Sequence, residues 1–284
     1  MKKTILIFGV TGLLGSQFNL HFKKKYKIFG IGKNKKDCDY NLDVNNKKKT
    51  ENILKKIKPD IVINCIAYTD VDKCNSEVGT AFKKNVLSIF NLFESIKKIN
   101  NNIHLVHIST DQVYNDLNKK NIETNINILN NYGLTKYMGE KQIKNYKKFT
   151  ILRTNFFCKS LAGKKLSYTD WIQNNLIQNK KIKIPNNVFF NPIHVNFLSS
   201  ILEKIIKKKI FGIYNIGSKD GTSKYLFAIK VAKKLHLNSK KIIGFKSLEK
   251  IHLKPQGTIM DVTKIEKKMK IKMPKLSESL ELIF

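Results

Sequence analysis

Two side chains four residues apart could move a proton together. They are Tyr132 and Lys136, in Tyr132-Gly133-Leu134-Thr135-Lys136. On a helix such a pair shares one face. A phenol ionises near pH 10, so proton transfer near neutrality needs a shift of roughly 3 pH units, about 4 kcal/mol. One ammonium about 4.5 Å away, at an effective dielectric of about 20, contributes roughly 3.7 kcal/mol. One lysine is therefore of the right order to activate one tyrosine. In a chain rich in Tyr and Lys the pattern alone is weak, and an exposed helix pair is its plain alternative. Position strengthens it. Upstream, Ser109-Thr110-Asp111 closes the apolar run Ile103–Ile108. A hydroxyl there can bond both a substrate carbonyl and the tyrosine, and ligands of open parallel sheets gather at the carboxyl ends of strands.

A second pattern could hold phosphate. Gly9-Val10-Thr11-Gly12-Leu13-Leu14-Gly15 follows an apolar run and precedes a helical one. The first glycine permits the tight turn, the second lets backbone approach a pyrophosphate, and the third lets helix and strand pack closely. Amides at the helix start then face the phosphates. About 20 residues on, an acid would bind the ribose hydroxyls of NAD. Here the chain has Gly32-Lys33-Asn34-Lys35-Lys36. Lysine suits a 2′-phosphate, so Lys33 points to NADP, with NAD as the alternative. Asp43-Val44 lies where it could reach the adenine edge.

These groups need elements to position them. Thr4–Phe8, Lys27–Ile31, Asp60–Ile66, Ile103–Ile108 and Phe149–Leu152 read as strands. Leu13–Phe22, Thr50–Ile57, Glu77–Ile99 and Tyr132–Tyr146 read as helices between them. Strands alternating with helices indicate a parallel sheet with crossover helices. The fold class is α/β, a Rossmann-type doubly wound parallel sheet with a smaller C-terminal lobe. Residues 1–155 form the NAD(P)-binding domain. Residues 156–284 are mainly a substrate lobe, with segments near 181–216 returning to the sheet. In that lobe Trp171–Gln178, Val195–Lys207 and Thr222–Leu235 read as helices, and Lys181–Ile184 and Phe211–Ile216 as strands. Thr222 or Ser223 is the cap of the third helix. Two short helices flank Pro274, and Leu161–Tyr168 reads as a loop.

Composition narrows the function classes. The chain has 284 residues, with 54 Lys plus Arg against 21 Asp plus Glu, a net charge of +33. Such an excess first suggests nucleic acid or an anionic surface. Yet Arg153 is the one arginine, and the longest lysine runs are three residues. A nucleic-acid arm more often shows a block of five or more like charges. A solvated lysine-rich surface is the simpler reading, with no specific nucleic-acid partner. No run approaches 18 apolar residues, which argues against a membrane-spanning helix. Cys38, Cys65, Cys74 and Cys158 are scattered, without metal spacing, as in a reducing cytoplasm. Met1-Lys2-Lys3 before TILIFGVTGLLG could pass for a leader, but three glycines interrupt the run, so a cytoplasmic protein is expected.

The motifs occur in a recognisable order. They are the glycine turn, NCIAYTDVDKCNSE (Asn64–Glu77), Asn85, STDQVY (Ser109–Tyr114), YGLTK, LRT (Leu152–Thr154) and the closing KPQGTIMDVTKIEKKMKIKMPKLSESL (Lys254–Leu280). Together they resemble the extended short-chain dehydrogenase/reductases, most closely the dTDP-4-dehydrorhamnose reductase branch. The likeness covers nearly the whole chain. It implies an NAD(P)H-dependent oxidoreductase that reduces the 4-keto group of a nucleotide-linked 6-deoxy sugar for cell-surface polysaccharide. It makes Tyr132 the proton donor, Lys136 its electrostatic partner and ribose anchor, and Thr110 the hydroxyl that tunes Tyr132. Gly12, Leu13 and Leu14 would contact the pyrophosphate. Cys65, Ile66 and Ala67, with Asn85, would line the cofactor. Thr69, Thr110, Asp111, Gln112 and Phe156 would face the sugar. Magnesium enters by resemblance only, with no residue to locate it, and a homodimer is left open. The chain departs from the family at Gln112, where Tyr is common, at Phe156, where Trp is common, and at Cys65 and Ile66, where Ala is common. Lys159–Trp171 also looks longer than the family's usual link.

Other residues carry a sharp and a bland reading. Arg153 fits a structural pair better than a diphosphate contact. His194 reads as structural, and His104 and His107 as core or edge residues. Trp171 reads as packing more than sugar stacking. Asp70 and Asp72 could be a substrate-side acid pair or a loop feeding the next helix. An epimerase or dehydratase of the same superfamily, or a non-catalytic NAD(P)-binding subunit, stays as the rival. The usual signature of such a subunit is loss of the Tyr or Lys that this chain keeps.

Overall fold

β-Branched and aromatic residues suit a pleated surface buried on both sides. The run TILIF accordingly forms strand β1, Thr4–Phe8, with Ile5 to Phe8 fully buried. The computed structural model describes residues 2–33, 37–100, 102–161, 165–248 and 253–283. The central sheet continues with β2 (Lys27–Gly32), β3 (Tyr40–Asn41), β4 (Ile61–Asn64), β5 (His104–Thr110), β6 (Phe149–Thr154) and β7 (Gly212–Ile216). The strand order is β7-β6-β5-β4-β1-β2-β3. β1 pairs in parallel with both β2 and β4, so Ile7 lies between Gly30 and Ile63. This is the Rossmann-type doubly wound order. Its direction reverses between β1 and β4, where such sheets bind ligands.

Helices α1 (Leu13–Phe22), α2 (Lys47–Ile57), α3 (Val71–Ser76), α4 (Val78–Phe82), α5 (Ser88–Ile99) and α6 (Asn131–Ile143) connect the first six strands. On α5, Ile89, Leu92, Phe93 and Ile96 follow helical spacing, and all four join the core with Leu6, Phe8, Val62 and Leu105 of the sheet. Two connections among these helices differ from the sequence reading. The stretch Glu77–Ile99 is not one regular helix, because α4 passes through a π turn, Lys83–Leu87, before α5. The loop after β4 contains a further helix, α3, whose cap is Asp70: its Oδ1 accepts from Lys73 N at 3.1 Å.

By internal contacts the chain forms two units. The first comprises 1–110, 130–152 and 199–213, and the second 111–129, 153–198 and 214–284. The second has its own core, in which α7 (Tyr168–Ile177) and α9 (Lys224–Lys234) contribute Ile172, Leu176, Phe227 and Val231. Helix α8 (Val195–Lys208) precedes β7. Ser223 caps α9, while Thr222–Ser223 pairs with Phe189–Phe190, so the helix begins two residues later than its apolar pattern. Ser167 and Asp170 form a capping box on α7. Ile242–Phe245, not read as a strand, pairs in parallel with Ile182–Pro185. Helices Thr263–Met269 and Leu276–Glu281 flank Pro274.

Arg153 serves this second interior. It is 1% exposed, and its Nη1 donates to Tyr114 Oη and to Glu123 O, both at 2.7 Å. Tyr114 Oη in turn donates to Asn215 Oδ1 at 2.7 Å. A lysine could not span these acceptors with a planar fork. His194 is buried edge-on against Phe157, and its Nδ1 accepts from Asn196 N at 3.3 Å at the start of α8. Burial pushes its pKa down to about 4. Trp171 is 40% exposed and stacks on Tyr168.

Candidate active site

The glycine turn has the geometry its spacing predicts. Gly9 sits at φ +80°, a backbone region that disfavours side chains, and its N–H donates to Ile31 O at 2.9 Å. Gly12 is the N-cap of α1 and provides no capping side chain. Gly15 is the packing glycine: a Cβ there would lie 2.2 Å from Gly9 O and 2.9 Å from Val10 Cα, both backbone atoms that cannot swing aside. Gly15→Ala is therefore expected to destabilise the protein by about 2–3 kcal/mol through overpacking. It should also weaken dinucleotide binding, because α1 must move off the turn. Urea unfolding and a fluorescence titration with NADPH check both effects.

Beside this turn, in the first unit, lies a cavity of about 270 Å³. Nine residues singled out from the sequence line it: Gly9, Thr11, Gly12, Lys33, Asp43, Val44, Cys65, Ile66 and Ala67. Gly32 and Tyr68, from quoted motifs but given no role there, line it too, as do Ile31, Leu42, Asn45, Lys84 and Ser88, which no motif signals. They arrive from β2, the stretch after β3, the loop after β4, the π turn and the start of α5, so only the fold brings them in. Lys33 Nζ stands 3.3 Å from Asp43 Oδ2, a solvated pair worth little by itself. The Asp43 carboxyl is held below its usual range chiefly by the Asn45 backbone N–H. Asn34, Lys35 and Lys36 lie outside the described residues, as do residues 162–164 of the long link.

A nicotinamide dinucleotide fits these groups. The first turn of α1 has no side-chain cap competing for its amides, Lys33 offers a cation, and Ile31, Leu42 and Val44 offer apolar wall for a base. Leu13 and Leu14 occupy that first turn and do not line the cavity; Leu14 is buried. Asn85 also stands back from it. Its Oδ1 accepts from Tyr68 N at 2.7 Å, and its Nδ2 donates to Tyr68 O at 3.1 Å and to Thr135 Oγ1 at 3.0 Å. One buried amide thus ties the cavity loop to α6. It sits in the π turn, a distortion common at functional sites. Gly139 allows the approach: a Cβ there would lie 2.5 Å from Asn85 O.

Helix α6 carries the tyrosine and lysine. Asn130 caps it, accepting from Gly133 N at 2.8 Å, and Asn131 N donates to Asn75 Oδ1 at 3.0 Å. Tyr132 lies in the first turn, half-buried. Lys136 is 1% exposed, and its Nζ donates to Ile108 O at 2.7 Å. Burial pushes its pKa down to about 8, against the opposing charge of Glu140. Burial pushes the Cys65 thiol up to about 12, so this cavity residue stays a thiol. Thr110 ends β5 and is buried. Ser109 points to a different partner, donating to Glu140 Oε1 at 2.5 Å. Tyr132, Lys136 and Thr110 do not line the cavity itself. His107, read from sequence as a core or edge residue, stands 3.4 Å from Lys136 Nζ through its Nε2.

The residues expected at the sugar are divided. Thr69 and Thr110 belong to the first unit, and Asp111, Gln112 and Phe156 to the second. Within the second unit Asp111 is buried, its Oδ2 accepting from Asn155 Nδ2 at 2.8 Å and from Thr258 Oγ1 at 2.9 Å. Gln112 and Phe156 are partly exposed. Asn155 lies in no quoted motif, and Thr258 lies in the closing motif without a role read for it.

A family model described as the RmlD substrate binding domain matches residues 1–284. The chain belongs to that family. Among curated relatives, dTDP-4-dehydrorhamnose reductase of Escherichia coli K12 is 28% identical over 237 residues, covering 80% of this chain and 76% of its own. The protein of the same name from Aggregatibacter actinomycetemcomitans is 28% identical over 290 residues, covering 92% of each. A crystal structure of dTDP-4-dehydrorhamnose reductase from Bacillus anthracis in complex with NADP superposes with a TM-score of 0.90. It has 24% identity and spans 100% of this chain and 99% of its own, so the RmlD-family fold runs from end to end. Among the described residues of this RmlD-family chain, no three or more His, Cys, Asp or Glu gather where they could hold a metal ion. Nor is any described helix long and apolar enough to cross a membrane.

Proposed function

We propose that this protein uses NADPH to reduce the 4-keto group of a nucleotide-linked 6-deoxy sugar, as a dTDP-4-dehydrorhamnose reductase does, in the supply of cell-surface polysaccharide precursors. The observation that carries the reading is the buried Lys136 one turn after Tyr132, on a helix tied by Asn85 to the dinucleotide cavity. In this reading the first unit takes the dinucleotide and the second most of the sugar nucleotide. The four cysteines are free thiols, consistent with a cytoplasmic enzyme.

The bound nicotinamide supplies a hydride. Tyr132 donates its hydroxyl proton to the carbonyl oxygen as that oxygen gains charge, so the ketone becomes an alcohol. The Lys136 ammonium stabilises the phenolate that remains. Thr110 bonds the same oxygen and holds it in line. Lys33 favours the 2′-phosphate of NADPH over the bare ribose of NADH. Lys33→Ala should raise KM for NADPH about 5–10-fold and leave KM for NADH nearly unchanged, the loss of one charge-assisted hydrogen bond. Parallel kinetics with the two cofactors check this.

The direct test mixes purified protein, NADPH or NADH, and a panel of 4-keto nucleotide sugars, and follows nicotinamide absorbance. Substrate-dependent oxidation of NADPH is expected. No turnover with any sugar would defeat the reading, and NAD that co-purifies and stays bound would point to an epimerase instead.

A further inference from the structure

A second residue bears on Lys136. His107 on β5 is opposite Asn64 on β4 in the parallel register, and both are 1% exposed. The Asn64 amide has a fixed orientation, because its Oδ1 accepts from the backbone N–H of Ile66 at 3.1 Å. Its Nδ2 therefore donates, and it donates to His107 Nδ1 at 3.1 Å. A neutral imidazole whose Nδ1 accepts carries its proton on Nε2. That Nε2 lies 3.4 Å from Lys136 Nζ. An ammonium has only N–H groups to offer, so it meets the imidazole N–H donor to donor. A neutral amine offers a lone pair and accepts.

We propose that His107 is a positioning residue for Lys136: Asn64 locks it as the Nε2–H tautomer, and that N–H, aimed at the lysine Nζ, favours the uncharged amine. The inference rests on the Tyr132–Lys136 reading for its importance, not for its geometry. His107 cannot relieve the contact by taking a second proton. A proton on Nδ1 would face the Asn64 donor, and burial and the Lys136 charge both oppose an imidazolium. The Ile108 carbonyl of β5 accepts from Lys136, the Glu140 charge favours its ammonium, the Cys65 thiol is uncharged, and Tyr132 stands one turn earlier on α6. His107 works with burial against the Glu140 charge.

The test reads the lysine directly. In protein labelled with 13C at lysine Cε, one resonance should titrate near pH 8, apart from the ordinary lysines, and be missing in Lys136→Met. Asn64→Asp keeps the His107 ring but supplies an acceptor to Nδ1, reversing the tautomer so that Nε2 accepts from the ammonium. The Lys136 midpoint should then rise by more than about 1 pH unit, and His107 15N shifts should report the reversal. His107→Phe removes the donor, and the midpoint should again rise. A midpoint unmoved in both folded variants would overturn the proposal. If the midpoint moves but no sugar is turned over, this inference stands and the reductase reading fails. If turnover is found, the alkaline limb of kcat should move up with the midpoint.

Discussion

Tyr132→Phe is expected to lower kcat by about 10³-fold while the Kd for NADPH changes by less than about threefold. A positioned general acid contributes 10²- to 10⁴-fold, and this substitution removes only the acid. The hydride donor, the Thr110 hydroxyl and the cavity stay. Tyr132 is half-buried in the first turn of α6, whose start is fixed by Asn130 and Asn75, so the helix should persist. The activity that remains should also lose its dependence on Lys136. On the proposed mechanism a charged lysine stands by the phenol in the wild type, and its pKa of about 8 means the charge is present below that pH and lost above it. Wild-type kcat should therefore fall on the alkaline side near pH 8, and the variant's residual rate should be flat there. Steady-state kinetics across pH, with a fluorescence titration for cofactor, decide it. An unchanged kcat would remove Tyr132 from the chemistry. Equal losses in kcat and in binding would make it a cofactor contact instead.

Much of this candidate site could be read along the chain because its proposed chemistry depends on local spacing. Gly9, Gly12 and Gly15 are close in sequence, and so are Tyr132 and Lys136. What could not be read depends on register. Asn64 and His107 are 43 positions apart and meet because β4 pairs with β5 in one particular alignment. An alternating His104-x-x-His107 on a strand says nothing about which ring meets a lysine. His104 does settle as a core residue, with Nε2 2.7 Å from Thr150 Oγ1 and its pKa pushed down to about 4 by burial. The π turn was equally hidden, since Phe82, Val86, Ile89 and Phe93 keep helical spacing across it. The long-range contacts within it were hidden too, since Asn85 serves both Tyr68 and Thr135. The helix Val71–Ser76 was read as loop because it is too short to show a period, though Asp70 at its start carries the cap signal.

Lys136→Met should reveal a pH-dependent cost of keeping the lysine buried. In the folded protein its pKa is about 8, against 10.5 for an ordinary lysine. Between those values the unfolded chain holds a proton that the folded chain has released, so unfolding takes up protons and stability rises with pH. The difference corresponds to about 3 kcal/mol. Below pH 8 both states bind the proton, and the folded state bears the full penalty. By pH 10.5 most of it is relieved. The stability of wild type relative to Lys136→Met should therefore increase by about 3 kcal/mol between pH 7 and pH 10.5, whatever the gap at pH 7. The chain's other lysines titrate in both proteins and cancel. Lys207 provides the opposite sign as a control. Its pKa is raised by the hydrogen bond and charge of Glu203, so its contribution is present at neutral pH and fades as pH climbs through the folded value. Urea unfolding of the cofactor-free proteins at the two pH values makes the comparison. A gap that stays constant would mean that Lys136 titrates in the folded protein as it does in water, and burial would then have no hold on its charge.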